Sequence, residues 1–145
     1  MAALTNDVDI FHAHPVRERP MPKAGIVDTF YRGALVFYNT AGQITPVTAS
    51  GSVLAGIVAE RTVIATINDP VPVYEDGLYY FAAAVAALAN NGELMYALAT
   101  SDNPADITAT ATANSAAIGI LSQRAAGIAE GWFLLSVTRL AVVVA

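Results

Sequence analysis

Gly56-Ile57-Val58-Ala59-Glu60-Arg61 returns, lightly edited, as Gly119-Ile120-Leu121-Ser122-Gln123-Arg124. The echo has companions on both sides. Gly33-Ala34-Leu35-Val36 precedes the first copy as Gly92-Glu93-Leu94-Met95 precedes the second. Asp76-Gly77-Leu78-Tyr79-Tyr80-Phe81 follows the first as Glu130-Gly131-Trp132-Phe133-Leu134-Leu135 follows the second. Three anchors in one order imply two related β-rich units, roughly 33–81 and 92–135. The anchors lie 59, 63 and 54 positions apart. Loop lengths have therefore drifted while the strands were kept, as expected where connections tolerate insertion better than the elements they join. Two copies fall short of the about three repeats a solenoid needs, so the pattern predicts one pseudo-symmetric domain over 25–145.

Around the anchors the signals are those of short strands. Ala34 to Tyr38 is an apolar run that stops at the turn-forming cluster Asn39-Thr40-Ala41-Gly42. Gln43 to Thr48 contains Pro46, which confines it to an edge or a bulge. Val53 to Ile67 is β-branched and long enough for two strands joined near Glu60-Arg61, ending at Asn68-Asp69-Pro70. Val71, Val73 and Leu78 to Ala84 complete the first unit. Val85 to Asn90 favours a short connector helix with Asn90-Asn91-Gly92 as its stop. In the second unit Thr108, Thr110 and Thr112 alternate with Ile107, Ala109, Ala111 and Ala113, which predicts a half-exposed strand. Ala116 to Leu121, Trp132 to Val137 and Leu140 to Val144 follow as further strands. The expected fold is all-β, a small antiparallel barrel or sandwich.

The chain has 145 residues, of which 55% are hydrophobic and 13% charged, against about 45–50% and about 25% in ordinary soluble proteins. A membrane span is not the reason. The longest apolar stretches, Leu78 to Ala89 and Trp132 to Ala145, are short or broken by Arg139, and a spanning helix needs about 20 apolar residues. Asp7 and Asp9 sit where a signal peptide would be apolar. Solubility then rests on small and hydroxylated surface residues, and on burial against other chains. Cysteine is absent, which fits assembly in a reducing cytoplasm. Net charge is −5, all of it carried by residues 33–145. An acidic body argues against nucleic acid, whose phosphates call for clustered Lys and Arg.

Residues 1–24 read as an extended arm. Pro15, Pro20 and Pro22 each remove a backbone donor, and Val16-Arg17-Glu18-Arg19 alternates in charge with no helical stripe. Such a segment is either disordered or laid along a partner, with Phe11 and Val16 as its apolar contacts.

The residues assemble no catalytic constellation. The two histidines, His12 and His14, both fall in the arm, and a general base needs a fixed geometry. His12-Ala13-His14 has the spacing for a shared metal but lacks the about four ligands of a structural site, so no metal is expected. Glu75-Asp76 ahead of Gly77 reads as a solvated turn, and the second unit keeps the turn without the acid pair. The scattered glycines match neither a phosphate loop nor a dinucleotide fingerprint, so no cofactor is expected. Tyr79, Tyr80 and Phe81, with Trp132 and Phe133, occupy matched places. Strand neighbours face opposite ways, so each group divides between core packing and a contact surface; Tyr79, Phe81 and Trp132 are the candidate contacts.

In their order these segments resemble the small head-decoration, or capsid cement, proteins of tailed bacteriophages. The resemblance runs from Gly33 to about Leu140: Gly33 to Val36, Gly56 to Val58, Gly77 to Tyr79, an Ala-rich connector, Gly92 to Tyr96, the Asp/Thr-rich loop Ser101 to Thr112, and Gly119 to Leu121. The segment before Gly25 lies outside it. The resemblance implies a non-enzymatic homotrimer, made in the host cytoplasm, on the outer surface of the virion capsid. There it would clamp the major capsid protein against the pressure of packaged DNA. On this expectation Phe11, Val16, Arg17 and Arg19 of the arm reach the capsid while the body forms the trimer. The rival expectation is a phage tail or baseplate component, or a surface-layer module, that polymerises through the same sandwich.

Overall fold

The computed structural model describes residues 4–12, 22–46, 53–98, 101–110, 115–123 and 127–136. Among them lie β1 (Phe11–His12), β2 (Thr29–Phe30), β3 (Leu35–Tyr38), β4 (Ile44–Thr45), β5 (Val53–Val58) and β6 (Thr62–Val63). β7 (Val73–Tyr74), β8 (Gly77–Ala82), β9 (Leu94–Ala97), β10 (Ser115–Gln123) and β11 (Glu130–Ser136) follow. The protein is all-β. Its strands form a five-stranded sheet, β1-β8-β11-β10-β9, a four-stranded sheet, β4-β3-β5-β7, and the ribbon β2-β6. Every pairing between these strands is antiparallel, while the isolated bridge Ala24↔Ile44 is parallel. Neither large sheet closes on itself among the described residues, so of the two expected architectures it is the sandwich that forms.

Two apolar clusters set the layering. One joins Tyr79, Phe81, Phe133, Leu135 and Met95 of the five-stranded sheet to Leu35, Phe37, Leu54 and Ile57 of the four-stranded sheet. The other joins Val36, Ile44, Ala55, Val58 and Val73, from the other side of the four-stranded sheet, to Phe30, Ile64 and Val71. The four-stranded sheet is therefore buried on both faces. That explains why the run Leu54 to Val58 shows no alternation: a strand covered on both sides has no polar face to display.

The repeat is visible in the pairing. β8 and β11, the same anchor in the two units, are neighbours in one sheet. The 54-residue offset carries the pair Gly77↔Leu135 onto Gly131↔Phe81, and Leu78↔Leu134 onto Trp132↔Tyr80. Tyr79↔Phe133 maps onto itself, so a local pseudo-two-fold axis passes through that pair. β3–β5 and β9–β10 are likewise equivalent antiparallel ladders, each with a bulge. Their registers differ by one residue: Val36 faces Gly56, whereas Leu94 faces Gly119. A one-residue slip turns side chains over. Leu94 accordingly lies exposed where its counterpart Leu35 is buried.

Symmetry ends at the corner Glu75-Asp76. β7 pairs with β5, yet β8, two residues on, belongs to the other sheet. Glu75 is buried rather than solvated, a correction to the turn expected from the sequence. The reason is the change of sheet: the corner folds inward, and the buried Tyr79 hydroxyl donates to the Glu75 carbonyl at 2.8 Å. Burial lifts the Tyr79 phenol far above its ordinary range, with Tyr74, Asp76 and Glu75 adding to the effect, so it remains a donor.

The turn at Asn39–Gly42 forms as its composition requires. Asn39 Oδ1 accepts from the backbone of Ala41 and Gln43, at 2.9 Å each, and Gly42 takes a φ of +77°. The connector expected as a helix is a 3-10 turn over Leu88–Asn90. The Thr108 alternation does not give a strand among the described residues; a single bridge, Tyr96↔Thr108, stands in its place. Ser101 to Asp106 turns on itself just before it. Ser101 Oγ donates to Asp106 Oδ2 at 2.7 Å, and Asn103 caps the 3-10 turn Pro104–Asp106. Thr112 and the strand expected over Leu140 to Val144 lie outside the described residues.

Gly56 is the repeated glycine whose need is visible. A Cβ there would run into the Tyr74 carbonyl oxygen of β7 and meet Val73 Cγ1 at 2.7 Å. Gly56→Ala should therefore lower stability by about 1–3 kcal/mol, the usual cost of overpacking. Urea unfolding of the variant beside the parent protein measures this, and an unchanged midpoint would contradict the β5–β7 approach.

Candidate functional site

β8 and β11 carry apolar side chains on both faces. Tyr79, Phe81, Phe133 and Leu135 point into the sandwich, with Phe81 stacked on Phe133 at 4.2 Å between centroids. The intervening residues form the outer face, which can be followed row by row through the register. Phe11 of β1 lies beside Tyr80, and Tyr80 beside Trp132. Leu78 lies beside Leu134, which continues through Gly119 to Leu94. Trp132 meets the Tyr80 ring edge-on at 5.3 Å. Phe11, Leu94 and Leu134 are 64%, 49% and 42% exposed. Glu130, at the end of this face, accepts a hydrogen bond from the Tyr80 hydroxyl at 2.9 Å. The outcome is a nearly uncharged, aromatic-bearing sheet surface open to solvent, the type of surface that marks a contact with another molecule.

Among the residues singled out from the sequence, Phe11 and Trp132 belong to this surface. Tyr79 and Phe81 do not: both are core residues, and side chains packed within the chain are not available to a neighbour. The strand alternation expected of these aromatics is present, with the inward half being Tyr79, Phe81 and Phe133. Val16, Arg17, Arg19 and His14 lie outside the described residues. Tyr80, one of the matched aromatics but not one of the candidate contacts, joins this surface, and Leu78, Leu94 and Leu134, not marked in the sequence, complete it. Their signal was the lack of any polar face in 77–82 and 130–135, which identifies an outer sheet only once the layering is known.

The arm also changes character. Residues 4–12 are laid along this chain's own body. Leu4 packs on the second apolar cluster and Ile10 on the first. Val8 N donates to the Arg32 carbonyl at 2.9 Å, and Arg32 N donates in return to Asp7 Oδ1 at 3.0 Å. Arg61 Nε reaches the same Asp7 oxygen at 3.1 Å. Leu4 N donates to Oδ1 of the buried Asp102 at 2.9 Å. β1 then occupies the edge of β8 that, by the internal symmetry, corresponds to the edge of β11 filled by β10. His12, at the end of β1, meets Tyr74 edge-on at 5.3 Å.

The two carboxylates that hold the arm respond to acid in opposite senses. Burial pushes Asp102 above the ordinary 3.8, against the bonds from Leu4 N and its own backbone N, with Asp106 adding repulsion. Partial desolvation also raises Asp7, but the Arg61 and Arg32 bonds and charges outweigh it and leave the group lowered. Among the described residues no three His, Asp or Glu side chains are grouped to hold a metal ion, and no helix is long and apolar enough to cross a membrane.

No family model matches the chain, and no curated protein or solved structure matches it either.

Because Asp102 is raised in the folded state, its ionisation works against folding. Its contribution is fully present below the unfolded value near 3.8 and is lost as pH rises through the folded value. Asp102→Asn, which keeps an acceptor for Leu4 N without the charge, should flatten this loss and gain stability at neutral pH. Asp102→Ala removes the acceptor and should cost about 1–3 kcal/mol. Unfolding curves between pH 3 and pH 7 test both; a loss of stability in Asp102→Asn at pH 7 would contradict the assignment.

Proposed function

We propose that the protein is a non-enzymatic structural protein that forms a homotrimer and binds the outer surface of an assembled phage capsid, strengthening it. The observation that supports self-association is the open face carrying Phe11, Tyr80, Trp132, Leu94 and Leu134. Chain composition points the same way, with 55% of the residues hydrophobic and 13% charged. A ring with three-fold symmetry joins unlike surfaces, because a self-complementary patch closes at two. A second apolar surface is on hand at the ribbon β2-β6 and the segment leading into it, where Val63 of β6 is 73% and Val27, two residues before β2, 57% exposed. In the proposed ring the open face of one protomer meets the ribbon of the next.

The capsid as partner rests on the sequence resemblance. A protein that binds only the assembled shell stabilises it by mass action, and three equivalent attachments raise avidity by about 10²–10⁴. Within the arm, Val16, Arg17 and Arg19 are the residues assigned to the major capsid protein; Phe11 is released from that role because residues 4–12 serve this chain's own fold.

The first test is the mass of the purified chain, expected near 45 kDa, three times the 15.1 kDa protomer. Leu134→Lys and Val63→Lys should each reduce it to that of the protomer, whereas Leu88→Lys, exposed on the connector turn, should not. A wild-type chain that sediments as a monomer would refute the trimer. The second test is co-sedimentation with heads assembled from the cognate major capsid protein and lacking this chain. Arg17→Ala with Arg19→Ala should abolish binding and leave the trimer whole; undiminished binding would remove the arm from the capsid contact.

A further inference from the structure

We infer that the cleft between β1, the Arg32 corner and β7 is a binding site for a carboxylate on a short aliphatic stem. The cleft measures about 200 Å³. That is smaller than the about 300–1,000 Å³ that drug-sized ligands occupy, and it suits a group the size of one side chain. Ile10, Val58 and Ala59 make its apolar wall, and His12 with Tyr74 makes its aromatic side.

The donors decide the chemistry. Backbone N–H groups around the cleft are already engaged: Val58 N with the Ala34 carbonyl, Ala59 N with the Pro72 carbonyl, and Arg32 N with Asp7. Tyr79 gives its hydroxyl proton to the Glu75 carbonyl. The Arg32 guanidinium makes no hydrogen bond or ion pair with another described side chain. Asp7, the acid whose charge it feels, is held by Arg61 Nε instead. The Asp7–Arg61 contact leaves the Arg32 guanidinium, among the described residues, without a carboxylate of its own, although Glu75 and Asp76, whose charges act on Tyr79, border the same cleft. A guanidinium takes a carboxylate in a two-pronged geometry, and an apolar wall strengthens that pairing by excluding water.

A phosphate fits less well. Phosphate sites bring several free backbone N–H groups or several cations together, and here one guanidinium supplies the charge. The carboxylate has two conceivable sources, a free small acid or an Asp or Glu side chain from a partner protein. The inference stands apart from the trimer and capsid reading, because it uses neither the open face nor the rest of the arm.

The test is a titration of the ¹⁵N-labelled full chain, followed by NMR at constant ionic strength. The probes are sodium propionate, the peptide acetyl-Ala-Glu-Ala-amide and inorganic phosphate. Propionate should give saturable shifts confined to Arg32, Ala59, Tyr74 and His12, and phosphate should give none at the same concentration. Arg32→Gln should weaken propionate binding at least tenfold, and Arg61→Gln, which frees Asp7 to pair with Arg32, should weaken it as well, while Lys23→Gln, exposed beside β4 and outside the cleft, leaves it within about twofold. Ala59→Leu, which fills the cleft without touching Arg32, should abolish it and provides the answer if Arg32→Gln does not fold. Peptide binding at least tenfold tighter than propionate assigns the site to a partner's acidic side chain; equal or weaker peptide binding assigns it to a free acid. Linear, dispersed shifts with propionate would overturn the inference, as would phosphate binding of equal strength or full binding by both cleft variants.

Discussion

The antiparallel pairing of β8 with β11 is the contact on which the other layers depend. It places Tyr79 opposite Phe133 at the centre of the repeat and stacks Phe81 on Phe133. With that pair fixed, alternation sends Tyr79, Phe81, Phe133 and Leu135 towards Leu35, Leu54 and Ile57 of the second sheet. The same alternation leaves Leu78, Tyr80, Trp132 and Leu134 on the far side. Inner core and outer surface are therefore two consequences of one register. A shift by a single residue would exchange them.

The two units meet symmetrically but do not continue so. In the second unit the chain runs β9, β10, β11 through one sheet; in the first, β3 and β5 stay in one sheet while β8 leaves for the other. That departure vacates a place beside β8, and β1 fills it. The N-terminal segment is thereby drawn into the fold. Gly33 shows how closely: a Cβ on it would lie 2.9 Å from Val8 Cβ. Holding an extended segment on a body needs polar anchors as well as Leu4 and Ile10, and Asp7 and Asp102 provide them from opposite sides of the contact. One carboxylate belongs to the segment and takes its partners from the body; the other belongs to the body and takes Leu4 N.

Much of this was legible in the sequence because short strands and their turns are local. Ala34 to Tyr38, the break at Glu60-Arg61, and the Asn39 and Asn68 turns all depend on nearby residues, and the fold class follows from them. Sheet membership does not. Nothing local in Val73-Tyr74-Glu75-Asp76-Gly77 says that the chain changes sheets there, since β7 is placed by β5 and β8 by β11, partners distant in sequence. The threonine alternation after Ile107 gives no strand among the described residues, which reach there only to Thr110, for a related reason. Its period is right for a strand, but Ser101, Asn103 and Asp106 close a turn just before it and leave one bridge to Tyr96. Of the candidate contact residues, Trp132 fell on the open surface and Tyr79 and Phe81 in the core. Alternation told that neighbours part company, and only the packed layers told which way.

Magnitudes bear on how such a surface would be used in the proposed trimer. Fully burying a large apolar side chain is worth about 1.5–3 kcal/mol. Phe11, Leu94 and Leu134 are already roughly half covered, so hiding the remainder of all three yields on the order of 2–5 kcal/mol. Association costs an estimated 4–15 kcal/mol or more in lost freedom of motion. One such contact, acting alone, does not hold two protomers together firmly. In a closed ring each protomer makes two contacts, and the last contact forms between protomers already tethered, so its cost in freedom is largely avoided. In the proposed trimer the same arithmetic would favour a closed ring over open stacking, because closure adds a third contact without a third association cost.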